Sequence, residues 1–206
     1  MAIYPNRSIE LDVAIDRSRV WAEFVPNRFE LSMSNNRVYI RDVRSSDRRE
    51  VVALANASAD LHQPWISPPL TPHMFKAYLR RCHQDDHEGF VVCLVGTKEI
   101  VGVININNIV RGSFLSASLG YYSSANHQGV GYMTEALQLV VRLAFEEKGL
   151  HRIEANIQPN NHASRNLVQR CGFTLEGDSK DFLYINGRWR DHERWVRVDA
   201  RNSLTR

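Results

Sequence analysis

The sequence predicts an α/β fold, in which a single domain carries a mixed, mostly antiparallel sheet with one parallel strand pair and helices on both faces. Three strand-like segments joined by short turns indicate antiparallel pairing, because tight connections cannot join parallel strands. A later strand follows a long amphipathic helix, which indicates the parallel pair. A chain of 206 residues with 43% hydrophobic and 24% charged residues has the composition of one globular domain.

The first part of the chain contains less regular patterns. Residues 1–30 form an N-terminal extension with no assignment beyond a strand-like alternation of Ile9, Leu11, Val13 and Ile15. A strand is predicted at 36–43, followed by an amphipathic segment that runs to Leu54. A proline-rich loop, 62–72, ends in a Thr-Pro pair that is typical of a helix N-terminus. The helix after it carries an apolar face made of Phe75, Tyr78, Leu79 and Cys82.

The three strands of the meander are predicted at 90–95, 100–110 and 113–122. A long amphipathic helix follows, with apolar positions from Met133 onward, and it is stopped by the Lys-Gly pair that ends at Gly149.

The last third of the chain returns to the sheet. The strand at 152–158 is expected to lie parallel to 113–122, since a helix separates the two. A short helix at 162–171 and a hairpin turning at Asn186-Gly187 complete the pattern. Trp189 and Trp195, on the last strand, are expected to pack in the sheet.

Composition excludes several classes of function. The net charge is only +3, and the arginines of the first fifty residues are interleaved with acids, so nucleic acid is not an expected partner. No apolar run has the length of a membrane helix and no secretory signal is visible, so we expect a cytoplasmic protein without a membrane partner. The sequence carries no signal for an oligomeric state.

Cysteine and histidine spacing argues against a metal or redox site. Cys82, Cys93 and Cys171 include no close pair, and the last two lie among apolar residues, as small core side chains do. His83 and His87 have i, i+4 spacing but fall in a polar connector, which we interpret as a solvated loop. No metal is therefore expected.

The segment Gln128–Met133 is the most informative for chemistry. Two glycines between a strand and a long helix allow a tight turn that directs backbone N–H groups and a helix N-terminus toward one point, as in a pyrophosphate site. A tight turn without a ligand is equally consistent with these residues. A dinucleotide fingerprint would require a third glycine where Thr134 stands, and a P-loop would require Gly-Lys-Ser/Thr, so both are excluded.

Two motifs together resemble the GCN5-related N-acetyltransferases (GNAT). The first is the loop just described, which resembles the family's Q/R-x-x-G-x-G/A loop, with Met133 in its last position; the second is Asn161-His162-Ala163-Ser164 followed by Cys171-Gly172-Phe173. The resemblance implies a GNAT-like fold, an N-acetyltransferase domain at 31–200 with a tail at 201–206, and acetyl-CoA as the co-substrate. The residues that it implies for CoA binding are Tyr122, Ser123, Gln128, Gly129, Gly131, Tyr132, Met133, Asn161 and Ser164.

Further segments are similar to the ribosomal-protein N-acetyltransferases of the alanine-directed RimJ type. They are 111–114, 151–156 and 176–192. The likeness implies that the acceptor is the N-terminal α-amine of a ribosomal protein, most readily alanine. An α-amine has a pKa of about 8, so it is partly neutral in the cell and needs only a weak base. Two alternatives stay open, namely acetylation of a small amine such as a polyamine or antibiotic, and a CoA-binding module without catalysis.

The resemblance also suggests catalytic residues. Ser164 matches the serine that faces the leaving thiolate and is the candidate general acid, although a serine in the first turn of a helix also serves as a cap. Glu154, in the middle of a strand, and Asp181, near the hairpin, are candidate bases, and ordered water is an alternative to both. Leu183 stands where serine-directed relatives have a glutamate. Trp65 is a candidate for the acceptor pocket, with anchoring of its loop as the alternative.

Overall fold

Residues 37–63 and 65–203 are described by the computed structural model, and within them the strands form one seven-stranded sheet. The strands are β1 (Val38–Asp42), β2 (His87–Leu94), β3 (Ile100–Val110), β4 (Ser116–Ser123), β5 (Arg152–Ile157), β6 (Thr174–Ile185) and β7 (Arg188–Val198). Their order across the sheet is β1-β2-β3-β4-β5-β7-β6. The predicted N-terminal strand pattern at residues 9–15 lies outside the described residues.

The helices connect the strands. They are α1 (Arg48–Ala57), α2 (Ala59–His62), α3 (Pro72–Arg81), α4 (Tyr132–Arg142), which continues as a π-helical turn (Leu143–Glu147), and α5 (His162–Arg170). Short 3₁₀ helices cover Ser45–Asp47, Ala125–His127 and Ala200–Ser203. The predicted N-terminus of α3 is confirmed, since the Thr71 side chain accepts a hydrogen bond from the Met74 N–H at 3.2 Å. In the described range, no helix is long and apolar enough to cross a membrane.

The predicted sheet topology is confirmed. β2, β3 and β4 are consecutive antiparallel neighbours, and β4 pairs in parallel with β5, its only parallel partner among the described strands. β5 then pairs with β7, and β7 with β6. The hairpin between β6 and β7 turns at Asn186 (φ 51°) and Gly187 (φ 82°), the two left-handed positions that a type I′ turn requires.

Two apolar cores cover the two faces of the sheet. One packs α4 and α5 against the sheet through residues such as Leu137, Val168 and Ile153. The other packs α1 and α3 against the opposite face through Val51 and Phe75. Cys93 and Cys171 are buried in these cores, as predicted, and burial raises the pKa of the Cys171 thiol to about 11.

Three expectations about element limits and burial are wrong. β2 begins at His87, which pairs with Asn107 and is 8% exposed, so this histidine lies in a strand and not in a solvated loop. β4 begins at Ser116 rather than at 113, because Leu115 has a positive φ of 40° that breaks the extended backbone. Trp189 is 58% exposed, whereas Trp195 is buried as predicted. The described residues contain no cluster of three or more metal-ligating side chains.

Candidate active site

A gap in the sheet lies between the parallel strands. β4 and β5 are paired from Ser116 and Arg152 to Leu119 and Ala155. Both strands continue beyond these residues, but they no longer pair with each other. The edge of β4 that faces β5 therefore has no strand partner over 120–123, and a cleft of about 310 Å³ opens beside it.

The cleft reaches both faces of the sheet. Successive residues of a strand point to opposite faces, and Tyr121 packs with the α4–α5 core whereas Tyr122 belongs to the α1–α3 core. Both tyrosines line the cleft, together with α4 and α5 residues from one side and with His62, Trp65 and Ile66 from the other. We call these the α4–α5 side and the α1–α3 side of the cleft.

The glycine loop before α4 has the conformation that the sequence predicts. Gly129 (φ 72°) and Gly131 (φ 91°) are left-handed, and Gly131 is the N-cap of α4. The loop is held by Arg37, the residue before β1, whose guanidinium donates to the Val130 carbonyl at 3.0 Å and to the Glu135 carboxylate at 2.7 Å. The same guanidinium lies over the Tyr132 ring, with its central carbon 4.9 Å from the ring centroid. Sequence patterns gave no indication of this role of Arg37.

Ser164 lies on the α4–α5 side of the cleft, in the first turn of α5. Its hydroxyl is 2.5 Å from the Tyr121 hydroxyl, and burial raises the pKa of Tyr121. The helix cap is supplied by Asn161, whose side chain accepts from the Ser164 N–H at 3.1 Å. The Ser164 hydroxyl is therefore not used as a cap, and it forms a hydroxyl pair with Tyr121.

Three histidines, His62, His127 and His192, line the cleft at positions that the sequence analysis did not single out, and the first and last of them have hydrogen-bonded, buried rings. His62 donates through Nε2 to the Ser123 carbonyl at 2.9 Å, and its ring packs edge-on against Tyr122. His192, on β7, donates through Nδ1 to the Arg190 carbonyl at 2.9 Å. Burial lowers the pKa of both rings, so both are neutral near pH 7.

Trp65 also lines the cleft, which agrees with the pocket interpretation of this residue. Its loop is fixed by two hydrogen bonds. The Trp65 N–H donates to the His62 carbonyl at 2.8 Å, and the Gln158 side chain donates to the Trp65 carbonyl at 3.3 Å.

The structure brings every predicted CoA-binding residue to this one cleft, including Ser164. The two candidate bases, Glu154 and Asp181, do not line the cleft. The Glu154 carboxylate pairs with Arg152 at 2.8 Å, and Asp181 is exposed on β6, where its N–H donates to Asp191. Among the described residues that line the cleft there is no aspartate or glutamate. Because the unpaired edge of β4 and the two glycines of the loop leave backbone groups open to a ligand, the site fits the pyrophosphate and acyl arm of acetyl-CoA.

Comparisons with known proteins agree with this geometry. The family model "Acetyltransferase (GNAT) domain" matches residues 37–174. A probable N-acetyltransferase of Bacillus subtilis, YjcK, is 30% identical over 76% of this chain and 91% of its own length. The ribosomal protein uS5-alanine N-acetyltransferase of Escherichia coli is 48% identical, but over only 46% of this chain and 49% of that enzyme.

A solved structure of a related acetyltransferase has a similar fold. Mycobacterium smegmatis RimJ in complex with CoA-disulfide superimposes with a TM-score of 0.73 at 28% identity, covering 82% of this chain and 84% of that one. One conclusion follows from the family match, from the relatives and from the cleft at the gap between β4 and β5. The chain belongs to the GNAT acetyltransferases, and it is an N-acetyltransferase that uses acetyl-CoA.

Proposed function

We propose that this protein transfers the acetyl group of acetyl-CoA to the α-amine of a protein N-terminus, with alanine at the start of a ribosomal protein as the preferred acceptor. The observation that supports the acceptor class is the lining of the cleft on its α1–α3 side. This lining contains aromatic, amide and imidazole groups, as in Trp65, Gln158 and His62, beside aliphatic side chains, and no carboxylate among the described residues.

The absence of carboxylates from the described lining helps to distinguish between the possible acceptor amines. Polyamines and aminoglycosides carry several positive charges, and a site for them is expected to be acidic. A protein N-terminus carries one charge at most and is partly neutral near pH 8. Similarity to the alanine-directed enzyme of Escherichia coli supports the same choice. Such an acceptor is made in the cytoplasm, the compartment that the sequence predicts.

The two sides of the cleft would then have separate tasks. On the α4–α5 side, the loop of Gln128–Tyr132 and the N-terminus of α4 would hold the pyrophosphate, while Asn161, Ser164 and the unpaired edge of β4 would meet the acyl arm. Acetyl-CoA supplies an activated thioester. Free backbone N–H groups at the gap are suited to stabilise the developing oxyanion, and the Ser164–Tyr121 pair is suited to donate a proton to the departing sulfur.

The acceptor is tested with short peptides that begin with Ala, Ser or Met, beside a peptide with a blocked N-terminus and an internal lysine, and beside spermidine. Release of free CoA thiol and the mass of the product are measured. We expect acetylation of the Ala peptide at its α-amine and no reaction of the blocked peptide. Acetylation of the lysine, or of spermidine alone, contradicts the proposal.

A further inference from the structure

His192 is buried at the cleft, on the side opposite to Ser164. It is 2% exposed and lines the cleft from β7. Alternate residues of β7 face α5: the Glu193 carboxylate pairs with Arg165 at 3.0 Å, and Trp195 belongs to the α4–α5 core. His192 therefore points to the α1–α3 side, on which the acceptor amine is proposed to enter.

The hydrogen bond of His192 determines its tautomer. Since a carbonyl oxygen can only accept, Nδ1 carries the proton that is donated to Arg190, and Nε2 keeps its lone pair in the neutral ring. Burial has the largest influence on the ring and lowers its pKa, whereas the hydrogen bond to the Arg190 carbonyl and then the adjacent Asp191 favour the charged form. Asp191 is itself paired with Lys180 at 2.7 Å, and the Phe182 ring packs edge-on against the His192 ring, with 5.9 Å between their centroids. The neutral ring is thus a proton acceptor near pH 7.

Other candidates for a proton acceptor are less well placed. Glu154 and Asp181 do not line the cleft, and no other carboxylate of the described residues does. His62 lines the cleft, but its unprotonated nitrogen, Nδ1, is buried and has no hydrogen-bond partner. His127 lies beside the glycine loop, with its ring centroid 5.9 Å from that of Tyr132, on the side where the pyrophosphate is proposed to bind.

We propose that His192 is a catalytic residue that accepts the proton of the acceptor amine through Nε2. As the amine nitrogen forms its bond to the acetyl carbon, the carbon–sulfur bond breaks, the sulfur leaves with the bonding electrons, and the proton lost by nitrogen passes to Nε2. The ring then returns this proton to solvent. The inference rests on the proposed function, because it requires an amine on the α1–α3 side of the cleft.

The test compares His192→Asn with His192→Gln. An asparagine keeps a donor near the position of Nδ1, so it retains the bond to the Arg190 carbonyl but has no base at Nε2. We expect kcat to fall roughly 10²–10⁴-fold in both variants, as for loss of a general base. Stabilisation by CoA should be unchanged, since His192 is not proposed to bind it. His73→Asn, at an exposed position of α3, is the matched control and should keep the wild-type kcat.

The pH profile separates a base from a structural residue. In the wild-type protein, kcat should rise as pH passes upward through a pKa below the ordinary 6.5 of histidine, because only the deprotonated ring accepts the proton. Both His192 variants should lack this acidic limb. A wild-type kcat, or an unchanged acidic limb, in either variant overturns the role of His192. The same comparison is made on whichever amine the wild-type protein acetylates, so rejection of the Ala peptide counts against the acceptor and not against His192.

Discussion

At the residue scale, the most informative contact is between the Ser164 and Tyr121 hydroxyls, which lie 2.5 Å apart although 43 positions separate them in the chain. The resemblance to known enzymes predicts a role for Ser164, but it does not predict Tyr121. A tyrosine whose pKa is raised by burial stays protonated at all physiological pH values. It can therefore return a proton to the serine after the serine has donated one.

If the two hydroxyls act as one unit, their removal should not be additive. We expect Ser164→Ala to reduce kcat by roughly 10–100-fold, at or below the usual range for loss of a general acid, since water can replace it in part. Tyr121→Phe should reduce kcat less, and the double variant should be no slower than Ser164→Ala alone. Steady-state release of CoA thiol measures all three.

Ser118→Ala is the control for this series, because Ser118 lies on the same strand but its hydroxyl donates to the Asn107 carbonyl at 3.3 Å and does not line the cleft. Additive losses of Ser164 and Tyr121 would show that the hydroxyls act independently.

At the scale of a single element, the loop before α4 depends on the conformation of its glycines. Gly131 has a φ of 91°, and a Cβ added there would lie 3.2 Å from the Arg37 guanidinium nitrogen that donates to Val130. A side chain at this position would both strain the backbone and crowd the group that holds the loop.

Gly131→Ala should therefore abolish the thermal stabilisation by millimolar CoA. The control is Gly112→Ala, which has a similar φ of 70° and open space around its Cβ position, far from the cleft in the turn before β4. Both variants should lose roughly 2–8 °C of melting temperature, from about 1–2 kcal/mol of backbone strain. Only Gly112→Ala should still be stabilised by CoA. A CoA response of Gly131→Ala equal to that of Gly112→Ala would contradict the role of the loop.

Sequence patterns predicted the elements well where apolar periodicity was strong. The limits of β3 and the parallel placement of β5 agree with prediction, whereas β2 extends back to His87 through residues that look like a polar connector. β6 was predicted only in part, because most of its residues are exposed and show no alternation. Local patterns predicted the tight turn of the loop, and the resemblance to known enzymes pointed to Ser164. Neither could identify Tyr121, His62 or His192 as neighbours, since only the folded sheet brings these residues together.

At the scale of the whole molecule, the opening between β4 and β5 connects the two sides of the sheet. In the proposed arrangement acetyl-CoA and the acceptor amine are present at once, one on each side. The described residues that line the opening include no cysteine, the strongest nucleophile that could carry an acetyl group in between. Direct transfer is therefore expected.

Direct transfer has a kinetic signature. Double-reciprocal plots of rate against acceptor peptide, at several acetyl-CoA concentrations, should intersect rather than run parallel. Incubation with acetyl-CoA alone should leave the intact mass of the protein unchanged. Parallel lines together with a mass increase of one acetyl group would show a covalent enzyme intermediate.

The opening through the sheet also sets a requirement on the shape of the acceptor. On the proposed acceptor side the cleft is lined by the end of α2 and the loop that follows it, through His62, Trp65 and Ile66. The first residue of a protein acceptor must pass this layer to reach the gap, and packed layers lie about 10 Å apart. An extended chain advances about 3.3 Å per residue, so roughly three residues must protrude from any folded body. With a protein N-terminus as the acceptor, as proposed, proteins of any size are expected to be substrates, provided that they have a free tail of this length. A terminus folded tightly against its own domain is out of reach, whatever its first residue.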